Sequence, residues 1–236
     1  MATEGMNLVT GITHIPIFPL PVVLMPFELL PLHIFEPRYL KMLDDISGQK
    51  NFFGINFIEE EKLSLPTNRP EPGSIGCVAQ IRQVLPAANN TVNIMTVGIV
   101  RYMITEYEDS ANKPYHYARI EFFEDAEDDS VGTIAAEVRE LFRRIAHAAF
   151  KLSGNRGALP DIPAAEPEQL SFLVAAALEL KSSEKLEMIS LTSTARRLTK
   201  LKVHLEKNVR KMEESAEIVI AAEKNGHAKK PLPPIG

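Results

Sequence analysis

The chain of 236 residues has a single cysteine, Cys77, so no internal disulfide can form and metal sites built from paired cysteines are excluded. Its histidines (His14, His33, His116, His147, His204 and His227) are scattered and lack the i, i+4 spacing of a helical zinc site. No Gly-Lys dipeptide occurs, which removes the phosphate-cradling P-loop. Gly73-Ser74-Ile75-Gly76 has the wrong spacing for a Gly-x-Ser-x-Gly nucleophile elbow. The expectation is a protein that is not an enzyme and takes no metal or cofactor. No run approaches the ~20 apolar residues of a membrane span. The opening residues carry Glu4, no basic residue and no continuous apolar core, unlike a signal peptide. These absences predict a soluble, cytoplasmic protein. Basic residues number 26 against 31 acidic, a net charge of -5. Nucleic-acid binding is driven by cationic surface that displaces counterions from phosphates, so this balance argues against such a partner.

What is present divides into two periods. From about Ile12 to Glu124 the pattern is strand-like: Phe52 to Ile58, Ile75 to Leu85, Thr91 to Thr105 and Tyr115 to Phe123 are rich in β-branched and aromatic residues. Turn signals separate them, at 68–73, 89–90 and 112–114. Gly98, inside the longest run, predicts a bulge or bend. Many short strands in succession predict an antiparallel barrel or sandwich. One helix interrupts them, with Pro37 at its first position, Tyr39, Leu40, Leu43 and Ile46 on one face, and Gly48 as its stop. The run Glu124 to Ser130 reads as a solvated acidic linker. Beyond it the stripe Ile134, Val138, Leu141, Phe142, Ile145 and a second through Leu170, Val174 and Leu178 have helical spacing. Residues 153–166, with Gly154, Gly157, Pro160 and Pro163, read as a loop. Ser183 is the expected cap of a short helix reaching Leu191. A last helix of roughly 30 residues, about 45 Å long, carries Leu198, Leu201, Leu205, Val209, Met212, Ala216 and Val219. It offers a route to a homo-oligomer.

Few residues stand out as functional. Cys77 sits in the apolar alternation Ile75, Cys77, Ala79, Ile81 and reads as a small buried hydrophobe. Glu36, Arg38 and Arg101 are charges embedded in apolar segments. If buried they need partners, so Glu36 is expected to pair with Arg38 or Arg101 as a structural ion pair that locks the helix to the sheet. The segment Pro19 to Phe27 is the candidate polypeptide-binding surface. Its prolines stiffen the backbone while Val22, Val23, Leu24, Met25 and Phe27 offer adaptable apolar area. The competing expectation is that these side chains fill the core.

Several ordered segments resemble the amino-terminal, substrate-binding domain of Lon proteases. They are Pro16-Ile17-Phe18-Pro19-Leu20, Val23-Leu24-Met25-Pro26, and Leu30-Pro31-Leu32-His33-Ile34-Phe35-Glu36-Pro37-Arg38-Tyr39 with Met42. Then come Gly73-Ser74-Ile75-Gly76-Cys77-Val78-Ala79-Gln80-Ile81, Gly98 to Ile104 with Arg101, and Pro114 to Phe123. The resemblance covers about Thr13 to Leu205. It implies an α+β fold: a PUA-like antiparallel β-barrel with one short helix over 12–125, a helical bundle over 130–224 ending in a long helix, and a disordered tail over 225–236. It implies a non-catalytic module that binds unfolded or tagged polypeptides or a protease partner, in a free-standing form lacking the ATPase and protease domains. RNA binding is the alternative, since PUA-like barrels elsewhere hold RNA.

Overall fold

The computed structural model describes residues 4–48, 50–65, 68–109, 113–127, 131–152 and 165–224, with side chains at all of these but 86, 151, 152 and 213–224. The Pro-punctuated opening forms β1 (His14–Leu20) and β2 (Leu29–Ile34), preceded by α1 (Glu4–Val9) and followed by α2 (Pro37–Ile46). Pro37 opens α2 where a missing N–H costs nothing, and Gly48 follows it at φ 80°. β3 (Phe52–Phe57), a 3₁₀ turn (Glu60–Lys62), β4 (Ile75–Pro86), β5 (Val92–Tyr107) and β6 (His116–Phe122) come next. The helices α3 (Val131–Leu152), α4 (Pro167–Ala177), α5 (Ser182–Ser190) and α6 (Thr194–Lys224) follow.

The strands form one sheet in the order β2-β5-β4-β3-β1-β6, and β5 also pairs with β6, so the ladder from β5 through β4, β3, β1 and β6 returns to β5. Not all of it is antiparallel. β1 and β3 run parallel, with Ile17 opposite Gly54 and Phe18 opposite Ile55. The intervening β2 and α2 supply the crossover that a parallel pair requires. Buried Ile15, Ile17, Phe52, Val78, Tyr102, Ile104, Ala118 and Ile120 fill the interior. Tyr102 lies across β3 and β4, its hydroxyl donating to Asn56 Oδ1. A Cβ at Gly54 would fall 2.1 Å from that hydroxyl and one at Gly76 2.7 Å from it.

Two compact units divide the chain differently from the boundaries the sequence suggested. One is Met1–Glu127 with Glu168–Thr194; the other is Asp128–Pro167 with Ala195–Gly236. α4 and α5 therefore belong with the strands and not with the helical part. The reason is a buried charge. Arg101 on β5 is 2% exposed. Its guanidinium donates to Ile189 O (3.1 Å) and Leu191 O (2.6 Å) at the end of α5, and to Asp125 Oδ1 (2.6 Å). Those carbonyls are the electronegative end of α5, where a cation is favoured. Phe123 and Phe172 flank the guanidinium, 4.6 and 5.1 Å from it. Asp125 also accepts from the Thr194 hydroxyl, and Ala126 N donates to Thr192 O (2.8 Å). So Asp125, expected in a solvated acidic linker, is a buried counter-ion.

The cap of α5 is likewise different: Glu184 reaches back to accept the Lys181 N–H (2.8 Å), and Ser183 lies inside the helix. In the second unit, Lys202 on α6 meets Glu137 on α3 (2.8 Å), and Val138, Leu198, Leu201, Leu205 and Val209 are buried. Ala216 and Val219 lie outside the described side chains, and the expected loop over 153–164 and tail over 225–236 lie outside the described residues.

His116 on β6 holds a testable pH response. Its Nε2 lies 3.1 Å from Asn68 Oδ1, and burial, followed by the nearby Arg38 and Arg69 cations, pushes its pKa below the usual value. The unfolded chain, with an ordinary histidine pKa of about 6.5, then binds the proton first. Stability is therefore lost as pH falls through about 6.5 toward the folded-state value. His116→Gln is expected to flatten this step in urea midpoints followed from about pH 7.5 to about 5.5.

Candidate functional site

Of the candidate polypeptide-binding residues, Val23, Leu24 and Met25 are buried and contribute packing, while Val22 and Phe27 reach the surface. The segment is core for most of its length because Met25 is driven against β5. A Cβ at Gly98 would lie 2.0 Å from Met25 O, so only glycine admits the approach. Phe27 N donates to Gly98 O (2.8 Å) and Gly98 N to Glu28 O (2.9 Å), fastening the segment to β5 before β2 begins.

A tight turn makes the link. Glu28 N donates to Met25 O (3.2 Å), and the Glu28 carboxylate accepts Met25 N (2.8 Å). Burial pushes the Glu28 carboxyl up, opposed by that bond and by Lys185. Pro26 stands second in the turn and Phe27 third, at φ 68°. That is the pattern of a type II turn, whose third position favours glycine or asparagine. A phenylalanine there is strained, and its ring is 41% exposed.

The turn leads onto an apolar face that the sequence reading missed. Leu29 (63% exposed) is opposite Val97, Pro31 is opposite Met95, and on the far side Gln83 is opposite Met95 and Leu85 opposite Asn93. Directly opposed residues share a face, so Leu29, Val97, Met95 and Leu85 form one surface across β2, β5 and β4. Phe35, just beyond β2, is 62% exposed and stacks on His33 (centroids 6.1 Å apart). The signal was in the sequence: Leu29-Leu30-Pro31-Leu32 is apolar at both parities, and a strand with one solvated face should alternate. On the opposite face Ile81, Val84 and Val92 meet Leu40 and Leu43 of α2 around a cleft of about 300 Å³.

Of the two arginines expected as its partner, Glu36 takes Arg38. Glu36 pairs with Arg38 (2.9 Å) in a partly exposed contact, and Arg38 extends to Asn68 Oδ1 (3.4 Å) and over the Tyr39 ring (4.6 Å). Arg101 has no part in it, being committed to Asp125 and the end of α5. A contact this exposed adds little to stability. Cys77 is wholly buried opposite Arg101, and burial pushes its thiol well up, out of the reactive range.

Among the described residues, no three His, Cys, Asp or Glu side chains cluster as a metal site, and no helix is long and apolar enough to cross a membrane. The model of the ATP-dependent protease La (LON) substrate-binding domain matches residues 14–207, and the chain belongs to that family. It is 27% identical to a Lon protease of Trichlorobacter lovleyi over 221 residues, which covers 88% of this chain and 26% of that protein. It is 26% identical to the Lon protease of Brevibacillus choshinensis, over 80% of this chain and 24% of that one. The chain thus spans about a quarter of the length of the curated relatives it matches. Two solved structures share the fold. The Lon N-terminal domain protein from Xanthomonas campestris has a TM-score of 0.58 at 20% identity, over 80% of this chain and 97% of that one. The N-terminal domain of Mycobacterium avium complex Lon protease has a TM-score of 0.60 at 16% identity, over 82% and 98%.

Proposed function

We propose that this chain is a non-catalytic, cytoplasmic adaptor module that recognises extended or unfolded polypeptides, and that its ladder is the PUA-like β-barrel implied by the family. The binding surface is the face formed by Phe27, Leu29, Met95, Val97 and Leu85. Phe27 carries the reading. A left-handed backbone costs a non-glycine residue about 1–2 kcal/mol. Glycine or asparagine would satisfy the turn without that strain, so a strained aromatic side chain at the surface fits a binding role there. Family membership supplies the class of ligand, and Val22 and Phe35 extend the apolar area.

The test is Phe27→Asn. Fold stability is expected to hold or rise, since the turn is relieved. The dissociation constant for a reduced, carboxymethylated polypeptide, read by fluorescence anisotropy, is expected to rise about five- to tenfold, because roughly half of a phenylalanine's burial energy is lost. Leu29→Ser should act in the same direction. Unchanged binding in both variants would remove this surface from the account.

A further inference from the structure

A second concave region of the β-rich unit has a different chemistry. The turn after α1, the end of α2, the start of β3 and the approach to β6 enclose a cleft of about 720 Å³. Sites for small ligands span about 300–1,000 Å³. Ile15, Ile46 and Phe52 form an apolar, buried floor, and Tyr115 and Tyr117 a wall. Lys41, Lys50 and Lys113 line the cleft with one acid, Asp45, so the described lining charges give three positive less one negative, or two positive. In a chain whose net charge is -5, this is a local reversal of sign.

The acid is already engaged. Asp45 accepts from Lys41 (2.5 Å) and from the Tyr115 hydroxyl (2.8 Å), and those two bonds hold its carboxyl below the usual range. The other two ammonium groups have no carboxylate within 4.0 Å among the described residues. Lys50 Nζ donates to Leu8 O (2.8 Å) and Thr10 O (3.3 Å), around the end of α1. Lys113 Nζ stands 3.2 Å from the centre of the Tyr117 ring, whose other neighbour is His14 at 6.0 Å. Carbonyls and a π-face orient a cation without neutralising it, so both retain charge for an anion. They are compact point charges beside an apolar floor. No arginine is among the described lining residues, so their charge suits a singly charged carboxylate next to an apolar group better than a phosphate.

We propose that this cleft binds the free carboxyl terminus of a polypeptide ending in an apolar or aromatic residue. The terminal carboxylate meets Lys50 and Lys113, and the last side chain rests on Ile15, Ile46 and Phe52. The choice of a polypeptide as the carrier rests on the recognition function proposed above; the preference for a carboxylate rests on the cleft alone.

The experiment uses a labelled decapeptide ending in Phe as the free acid, the same peptide as the amide, and 3-phenylpropionate as a competitor, with the intact chain at low salt. The free acid is expected to bind at least about tenfold more tightly than the amide. Lys113→Gln is expected to reduce that ratio below about threefold, with Lys50→Gln acting alike. Circular dichroism checks that each variant is folded; among the described residues the Lys113 ammonium contacts the Tyr117 ring and no backbone carbonyl, so Lys113→Gln decides the matter should Lys50→Gln disturb α1. Equal binding of acid and amide, or a ratio that survives Lys113→Gln, overturns the proposal. Displacement by 3-phenylpropionate as effective as by unlabelled peptide would instead assign the cleft to a small organic acid. None of these results bears on internal unfolded segments, whose binding is read separately at Phe27.

Discussion

Arg101→Met is expected to lower stability by about 3–5 kcal/mol, a large share of the about 5–15 kcal/mol that holds a typical domain together. The substitution keeps a long side chain between Phe123 and Phe172 but removes the buried ion pair to Asp125 and the hydrogen bonds to the Ile189 and Leu191 carbonyls. Asp125→Ala is expected to cost a similar amount, since it takes the carboxylate away from a buried guanidinium. The double variant Arg101→Met/Asp125→Leu should be less destabilised than the sum of the singles, because it removes both charges together. Urea denaturation of the four proteins measures the coupling. Additive losses would show that Arg101 does not depend on Asp125. The wider effect is on α5: with the guanidinium gone, amide exchange in Ser182–Ser190 is expected to accelerate more than in β3.

Gly98→Ala should do comparable damage from a single methyl group. Its Cβ would fall 2.0 Å from Met25 O and 3.2 Å from the Cys77 sulfur. The first contact is with backbone fixed by the bonds of Phe27 N and Glu28 O to Gly98, so it has nowhere to move. Overpacking usually costs about 1–3 kcal/mol, and a clash with backbone belongs at or above the upper end. Gly132→Ala, where the added carbon meets nothing within 4 Å, is the control and should be neutral or slightly stabilising. Equal melting temperatures for the two variants would contradict the close approach. Gly98→Ala should also weaken polypeptide binding, since it displaces the turn that holds Phe27.

The strands were legible because they are bounded by turn residues and rich in β-branched side chains, and α2 because Pro37 and Gly48 mark its ends. α1 was not, since six residues carry no period. The parallel pairing of β1 with β3 depends on where a crossover lands, which local pattern does not encode. Arg101 announced itself as a cation in an apolar run, but its anion lay in a stretch that reads as solvent-facing, and its carbonyls lay in a helix that seemed to belong elsewhere. Residues 19–27 were recognised as apolar, but which side chains turn outward depended on a turn whose third residue, Phe27, breaks the usual preference. The lysine cleft gathers residues from four separate segments, and no spacing along the chain announces it.

The return of β5 to β6 has a consequence for a protein whose face is sticky. Strand edges with unsatisfied amides recruit other strands and seed aggregates. Among the described strands, the outer flank of β2, where Pro31 withholds an amide at mid-strand, and the last residues of β4, which carry Arg82 and stop at Pro86, lack a second paired neighbour. On the proposed function, Leu29 and Leu85 would meet the side chains of a client while the backbone offers it little to zip onto. A surface proposed to hold an aggregation-prone chain would then release it without becoming the first layer of the aggregate.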